Sequence, residues 1–475
     1  MRKLAFLAAA FLAAPAFAAS EAASETPMLE TLFPTTPPPG TEPRPFKLPA
    51  IETYKLKNGV AVTLAAYGTA PKATIRVVVR AGNINDGDKP WISDLAADMM
   101  QEGAGGMTGA QLDMAAAAMG GDLTIGVGLD ETFANIDVLG ENAEEALALI
   151  ADVLQRPAFP ETEFAKNKQN MLRELSVQRS EPQPLANNAF IDLIYPDHPY
   201  AAAQLPRTEK IEAMTLEDVK AYHSANFGGA RTHVYVVGRF DRKAVKKAVA
   251  NEFGAWTEGP GPLIMPPGAA RPAQVALVDR PGAVQSTIRL GKRVPPLDGT
   301  LELEAADTIL GGYFSSRITR NIREDKGYTY SPNSAVSAEY RAAYWRQNAD
   351  ITTEATGPAL VEIMKEIRGL QNAPPSAAEL EGIQNYMNGI YVIGLASRQG
   401  MTGQIAFANL HELGLNYLEN YVSLVQGLTP EAVQLAAKNS LDIDEMSLVV
   451  VGDLAKVRPQ IEKLPEFAGR LPPRQ

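Results

Sequence analysis

Two stretches of this chain finish in the same way. Residues 214–241 read MTLEDVKAYHSANFGGARTHVYVVGRFD, and residues 428–455 read LTPEAVQLAAKNSLDIDEMSLVVVGDLA. In each, a threonine is placed to cap a helix, with an acidic residue in the following turn to complement the helix dipole. Each then runs through a β-branched segment to a glycine. Gly238 lies 23 residues after Thr215, and Gly452 lies 23 residues after Thr429. Upstream, ENAEEALALIADVL (141–154) parallels TGPALVEIMKEIRGL (356–370), and FPETEFAKNKQNMLREL (159–175) parallels PSAAELEGIQNYMNGIY (375–391). Three pairings in one order imply an internal duplication, and a duplicated chain must build the same supersecondary unit twice.

Each unit starts with strands. GVAVTLAAY and TIRVVVRAG open the first half; QVALVDR and STIRLGKRV open the second. Helical stretches and a further alternating segment follow (ETFANIDVLG, AAYWRQNADITT) before the closing strand, HVYVVG or SLVVVG. Strands separated by long helices, with hairpin-like neighbours, predict an α+β fold of two homologous domains. Each should be a mainly antiparallel sheet with helices packed on one face. TEGPGPLIMPPGAARPAQ, Thr257 to Gln274, divides the halves and reads as a linker. The expected layout is a leader at 1–18, a Pro/Ala-rich arm at 19–47, an N-terminal domain at 48–256, the linker at 257–274 and a C-terminal domain at 275–460.

The leader, MRKLAFLAAAFLAAPAFAAS, has a basic start, an apolar run and a small-x-small site. It reads as a signal peptide cut after Ala18, which points to a periplasmic or secreted protein. Later apolar runs are too short to span a bilayer. A formal net charge of −11 disfavours nucleic acid and anionic membrane as partners. Cysteine is absent, which excludes disulfide and thiolate chemistry. The four histidines, His198, His223, His233 and His411, are too far apart in sequence for a paired imidazole motif. Neither EGAGGMTG (102–109) nor Ser315-Ser316 fits a phosphate loop or a serine-nucleophile frame.

In SDLAADMMQEG, Asp94 and Asp98 stand four apart and share a helix face. Read alone, they are solvated positions, caps or salt-bridge partners; with a third carboxylate they could meet a hard cation such as Ca²⁺ or Mg²⁺. The wider sequence resembles the pitrilysin/insulinase-type zinc metallopeptidases, which include the mitochondrial processing peptidases. The resemblance rests on LKNGVAVTLAA, APKATIRVVVRAGN, GGDLTIGVGLDETFANIDVL, YPDHPYA and LGGYFSSRITRNIREDKGYTYSPNS, in that order. It implies a zinc site built from HxxEH on a helix and a distal Glu. Here Asp94 occupies the first histidine position, Ala97 the general-base position and Asp98 the second histidine position. Glu174, 76 residues beyond Asp98, matches the distal carboxylate. Both imidazoles and the base that would deprotonate a metal-bound water are missing, so no zinc is expected in this chain.

The resemblance also implies an Arg/Tyr pair in the C-terminal domain that holds substrate and stabilises an oxyanion. Arg323 and Tyr330, seven apart in NIREDKGYTY, match it, and Arg317 matches an arginine just ahead. Gly327-Tyr328 departs from the usual Gly-Leu or Leu-Gly between them. Bacterial relatives include heterodimers in which one subunit carries HxxEH and the other the Arg/Tyr pair. The expectation is therefore a non-zinc subunit working with a homologous, zinc-bearing HxxEH partner on peptides or unfolded protein. The alternatives are a catalytically inactive peptide-binding or scaffold protein, or an autonomous hydrolase with an unforeseen site.

Overall fold

The chain is described by a computed structural model over residues 47–473. The leader and nearly all of the arm lie outside the described residues. The strands are β1 (Ile51–Lys55), β2 (Ala61–Ala66), β3 (Lys72–Val79), the short pair β4 (Gly103–Ala104) and β5 (Met107–Thr108), β6 (Thr124–Val127), β7 (Thr132–Leu139) and β8 (Thr232–Gly238) in the first half. The second half supplies β9 (Val275–Asp279), β10 (Gln285–Val294), β11 (Asn333–Glu339), β12 (Ala342–Thr352) and β13 (Ser447–Gly452). Residues 257–274 carry neither helix nor strand.

The duplication is visible in the sheets. The first has the order β1-β2-β8-β3-β7-β6, and the second, read from its β9 edge, β9-β13-β10-β12-β11. Apart from the added β1, the two are the same arrangement. The closing strand enters the sheet beside the opening one and parallel to it, β8 on β2 and β13 on β9. All other neighbours are antiparallel. Both threonines cap as their spacing implies: Thr215 Oγ1 accepts from the Asp218 N–H at 3.2 Å, and Thr429 Oγ1 from the Ala432 N–H at 3.2 Å. Gly238 sits at φ +145°, where a Cβ would come within 2.2 Å of the Lys72 carbonyl oxygen, so β8 can close against β3 only with glycine there.

Each sheet packs its own half's helices on one face. Val234 and Val236 of β8 join the first core, and Leu448 and Val450 of β13 join the second. The opposite faces are covered by exchange. Tyr235 and Val237, with Ala65 and Val78, are buried under Tyr391, Leu395, Met401 and Ile405, from the helices Ala377–Leu395 and Arg398–Leu410 of the second half. Val449 and Val451, with Ala342 and Tyr344, are buried under Ala186, Phe190, Ile191 and Ile194, from the helix Pro182–Ile194 of the first half. This is why VYVVG and LVVVG are continuous apolar runs instead of alternating ones: both faces of each closing strand are dry. Polar links cross the same seams. Arg398 reaches Asp137 at 3.0 Å, Arg289 Nε donates to Asn187 at 2.8 Å, and Gln183 donates to Asp350 at 3.0 Å.

Candidate functional site

The helix Ile92–Gln101 carries the degenerate motif. Its apolar side, Leu95, Ala96, Met99 and Met100, is buried in the first core. Its start is fixed by Asp86, a buried carboxylate that accepts the N–H groups of Trp91 (2.8 Å) and Ser93 (3.1 Å). Trp91 is held in the left-handed region at φ 71°, a conformation that strains a bulky side chain. Burial pushes Asp86 up to about 7 despite these donors.

Asp94 is half-buried and, among the described residues, forms no salt bridge. Its Oδ2 accepts from Asn83 Nδ2 at 2.6 Å and from Ser93 Oγ at 3.4 Å. Burial, only partly offset by these bonds, raises it to about 6. Asp98 is exposed, yet it too is raised to about 6, first by desolvation from the packed helix walls around it and then by the charges of Asp94, Glu174 and Glu102. Glu174 projects from the helix Glu161–Ser180, where its Oε1 accepts from Gln178 at 3.0 Å. Its field reaches both aspartates. The fold therefore brings together all four positions that the sequence singled out, Asp94, Ala97, Asp98 and Glu174.

The residues there do not fit a peptidase zinc. Ala97 offers a buried methyl group where a base is needed. The carboxylate of Asp94 is engaged by a neutral amide, and no imidazole is at hand. All four imidazoles are placed elsewhere: His198 on the Met265 carbonyl, His223 on the Leu154 carbonyl, His233 on Thr63 Oγ1, and His411 beside Phe407. Among the described residues no group of three His, Cys, Asp or Glu side chains is arranged to hold a metal ion.

Arg323 and Tyr330 are brought together in the second half. Residues Arg320–Asp325 form a π-helical turn, a wide turn that is frequent at functional sites. Ile318 and Ile322 root this region in the second core, and Asn321 Nδ2 ties it to Glu362 (2.9 Å) and Glu366 (2.6 Å). Gly327, at φ +63°, turns the chain back so that the Tyr328 N–H bonds the Ile322 carbonyl at 2.9 Å. Thr329 Oγ1 then donates to the Asp350 carbonyl at 2.7 Å. Both ends of the loop are thus pinned, and Tyr330 projects with 78% of its surface exposed. The Arg323 guanidinium carbon lies 5.1 Å from the centre of the Tyr330 ring. Its Nε is 3.4 Å from Glu324 Oε1. Among the described residues neither the remaining guanidinium N–H groups nor the Tyr330 hydroxyl has a hydrogen-bond partner in the protein. Both residues border an open depression of about 450 Å³ with Gln285, Glu324 and Thr352. Arg317 differs: Glu379 holds its guanidinium through two bonds, at 2.8 and 2.6 Å, so it acts structurally.

No hydrogen bond or ion pair joins this pair to the carboxylates of the motif helix among the described residues. A larger hollow, about 680 Å³, lies at the ends of β7 and β8, but it contains none of the candidate residues. Reading the sequence alone missed Asn83 and Asp86, which organise the motif helix, and Phe314, whose ring lies 4.3 Å from the Arg323 guanidinium carbon. The one local signal for Phe314 is its place just after Gly311-Gly312.

Comparison with known proteins bears on the family and the fold. The family model described as Insulinase (Peptidase family M16) matches residues 61–205, and that described as Peptidase M16 inactive domain matches residues 213–387. An uncharacterized zinc protease of Rickettsia felis is 24% identical over 284 residues, covering 59% of this chain and 68% of that protein. One from Mycobacterium leprae is 22% identical over 402 residues, covering 82% of this chain and 88% of its own length. The crystal structure of a peptidase M16 inactive domain from Pseudomonas fluorescens superposes with a TM-score of 0.80 at 25% identity, over 85% of this chain and 98% of that one. A protease from Helicobacter pylori, at 20% identity and a TM-score of 0.80, shares the fold over 86% of this chain. With both halves matched, in order and over about two thirds of its length, the chain belongs to the M16, insulinase-type peptidase family.

Proposed function

We propose that the chain is the non-zinc subunit of an exported two-subunit metallopeptidase, supplying Arg323 and Tyr330 to the active site of a homologous HxxEH partner. The observation that carries this reading is the pair itself. A guanidinium, paired only through Nε with Glu324, and a phenol hydroxyl stand side by side over an open depression, on a loop pinned at both ends, and among the described residues their remaining N–H and O–H groups have no acceptor. Donors placed this way are ready for an acceptor brought by another molecule. A peptide carbonyl oxygen, which gains negative charge when its carbon is attacked, is such an acceptor. The motif helix supports the other part of the reading, because its donor set suits no zinc and its base position is a methyl group. Export rests on the leader in the sequence.

The test is to purify the chain by itself and in complex with an HxxEH homologue exported by the same cell. Metal content and cleavage of a fluorogenic peptide are then measured for both. The expected result is chelator-sensitive cleavage by the complex, and neither cleavage nor stoichiometric zinc for the chain alone. One tightly held zinc per isolated chain, with chelator-sensitive turnover, would overturn the proposal.

A further inference from the structure

We infer that Phe314 is the positioning residue for Arg323, an aromatic plate that holds the guanidinium so that its N–H edge faces out of the protein. This rests on the reading of the Arg/Tyr pair given above and deepens it. Phe314 is a large apolar side chain with 67% of its surface exposed, so core packing does not explain it. Its ring centre lies 4.3 Å from the guanidinium carbon of Arg323, closer than the 5.1 Å to Tyr330. A guanidinium stacks well on aromatic faces, and stacking uses the π surface while leaving the in-plane donors free. The Tyr330 ring flanks Arg323 at the longer distance. Among the described residues the one ion-pair partner of Arg323 is Glu324, at 3.4 Å from Nε.

The plate is itself anchored. Tyr313, the preceding residue, packs its ring 5.2 Å from that of Tyr386 on the helix Ala377–Leu395. Two residues after Phe314, the buried Ser316 returns its N–H to the Tyr313 carbonyl at 3.1 Å and its hydroxyl to Thr319 Oγ1 at 2.9 Å. Phe314 is therefore carried on a short turn fixed on both sides, and Arg323 on a π-helical turn fixed by Ile322 and Asn321. Two rigid supports bring ring and guanidinium together. Without the ring, the long arginine side chain regains its rotamers and the donor edge is no longer held in one direction.

The experiment compares Phe314→Ala, Phe314→Leu and Phe314→Tyr with Arg323→Ala in the purified two-subunit complex, with melting temperature as a folding control. Phe314→Ala and Phe314→Leu should lower kcat roughly tenfold, the scale of one cation–π contact. KM should stay near that of the unaltered complex, and Phe314→Tyr should restore kcat. Adding Phe314→Ala to Arg323→Ala should have no further effect, since the ring acts only through the arginine. In the isolated ¹⁵N-labelled chain, the Arg323 Nε–H resonance should lose its ring-current shift in Phe314→Ala and Phe314→Leu, and keep it in Phe314→Tyr. A Leu variant with unaltered kcat and an unmoved Arg323 resonance would overturn the inference while leaving the Arg/Tyr reading intact. An Arg323→Ala complex that turns over normally would instead bring down that reading, and the positioning role of Phe314 with it.

Discussion

At Ala97, which the sequence resemblance aligns with a general-base position, a methyl group has 3% of its surface exposed. A carboxylate cannot simply be restored there. Ala97→Glu places a longer, charged side chain in a packed wall, and should destabilise the chain by on the order of 1–3 kcal/mol, read as a lower melting temperature. The triple change Asp94→His, Ala97→Glu, Asp98→His should likewise not create a competent peptidase, because Asn83 donates its amide N–H to a carboxylate at 94, at 2.6 Å. Turnover at the level of an active peptidase by that variant, without a partner, would contradict this. A second residue-scale prediction concerns Asp307. Its Oδ1 accepts from Trp345 Nε1 at 2.7 Å and Ser334 Oγ at 2.5 Å, but burial dominates and raises its pKa from 3.8 to about 6. The folded state therefore holds a proton that the unfolded chain releases. The stability this contributes is fully present below about pH 4 and is lost as pH rises through about 6. Asp307→Asn keeps the acceptor oxygen and removes the titration. Its melting temperature should depend less on pH between 4 and 6 than that of the unaltered chain; identical slopes would refute the assignment.

The strands were legible at the scale of elements because β-branched runs between glycines and prolines have one plausible reading, and because the repeat supplied a second copy of each. The shared strand order follows from that repeat. The crossing of the helices Pro182–Ile194 and Arg398–Leu410 onto each other's sheets was not legible. An apolar helix face states that something covers it but not which of two similar sheets does so. The site divided along the same line. Asp94, Ala97, Asp98, Glu174, Arg323 and Tyr330 were identified by spacing within a family pattern. Asn83, Asp86 and Phe314 act through contacts across loops, which spacing does not encode. The crossing gives its own prediction. Phe190, in the first half, is fully buried against the second half's sheet. Phe190→Ala should cost about 3–5 kcal/mol, the range for emptying an aromatic core position. Protection from hydrogen exchange should fall in β10 and β13 as well as in its own helix. Loss confined to residues 182–194 would argue against the exchange.

At the scale of the whole molecule, each half completes the other's core, and the described residues belong to one compact unit. A chain cut within 257–274 should leave two fragments that are insoluble or poorly folded apart and recover a cooperative transition when expressed together. What the assembled molecule offers outward is the uncommitted donor pair, and its use by a partner is the central claim. The most direct test is the steady-state kinetics of the purified two-subunit complex carrying Arg323→Ala or Tyr330→Phe, with assembly and melting temperature verified. The account predicts intact assembly, KM within a few-fold of the unaltered complex and kcat lower by on the order of 10²-fold, the scale for removing one oxyanion-side donor. Unaltered kcat in both variants of a verified complex would contradict it and leave a binding or scaffold subunit as the better description.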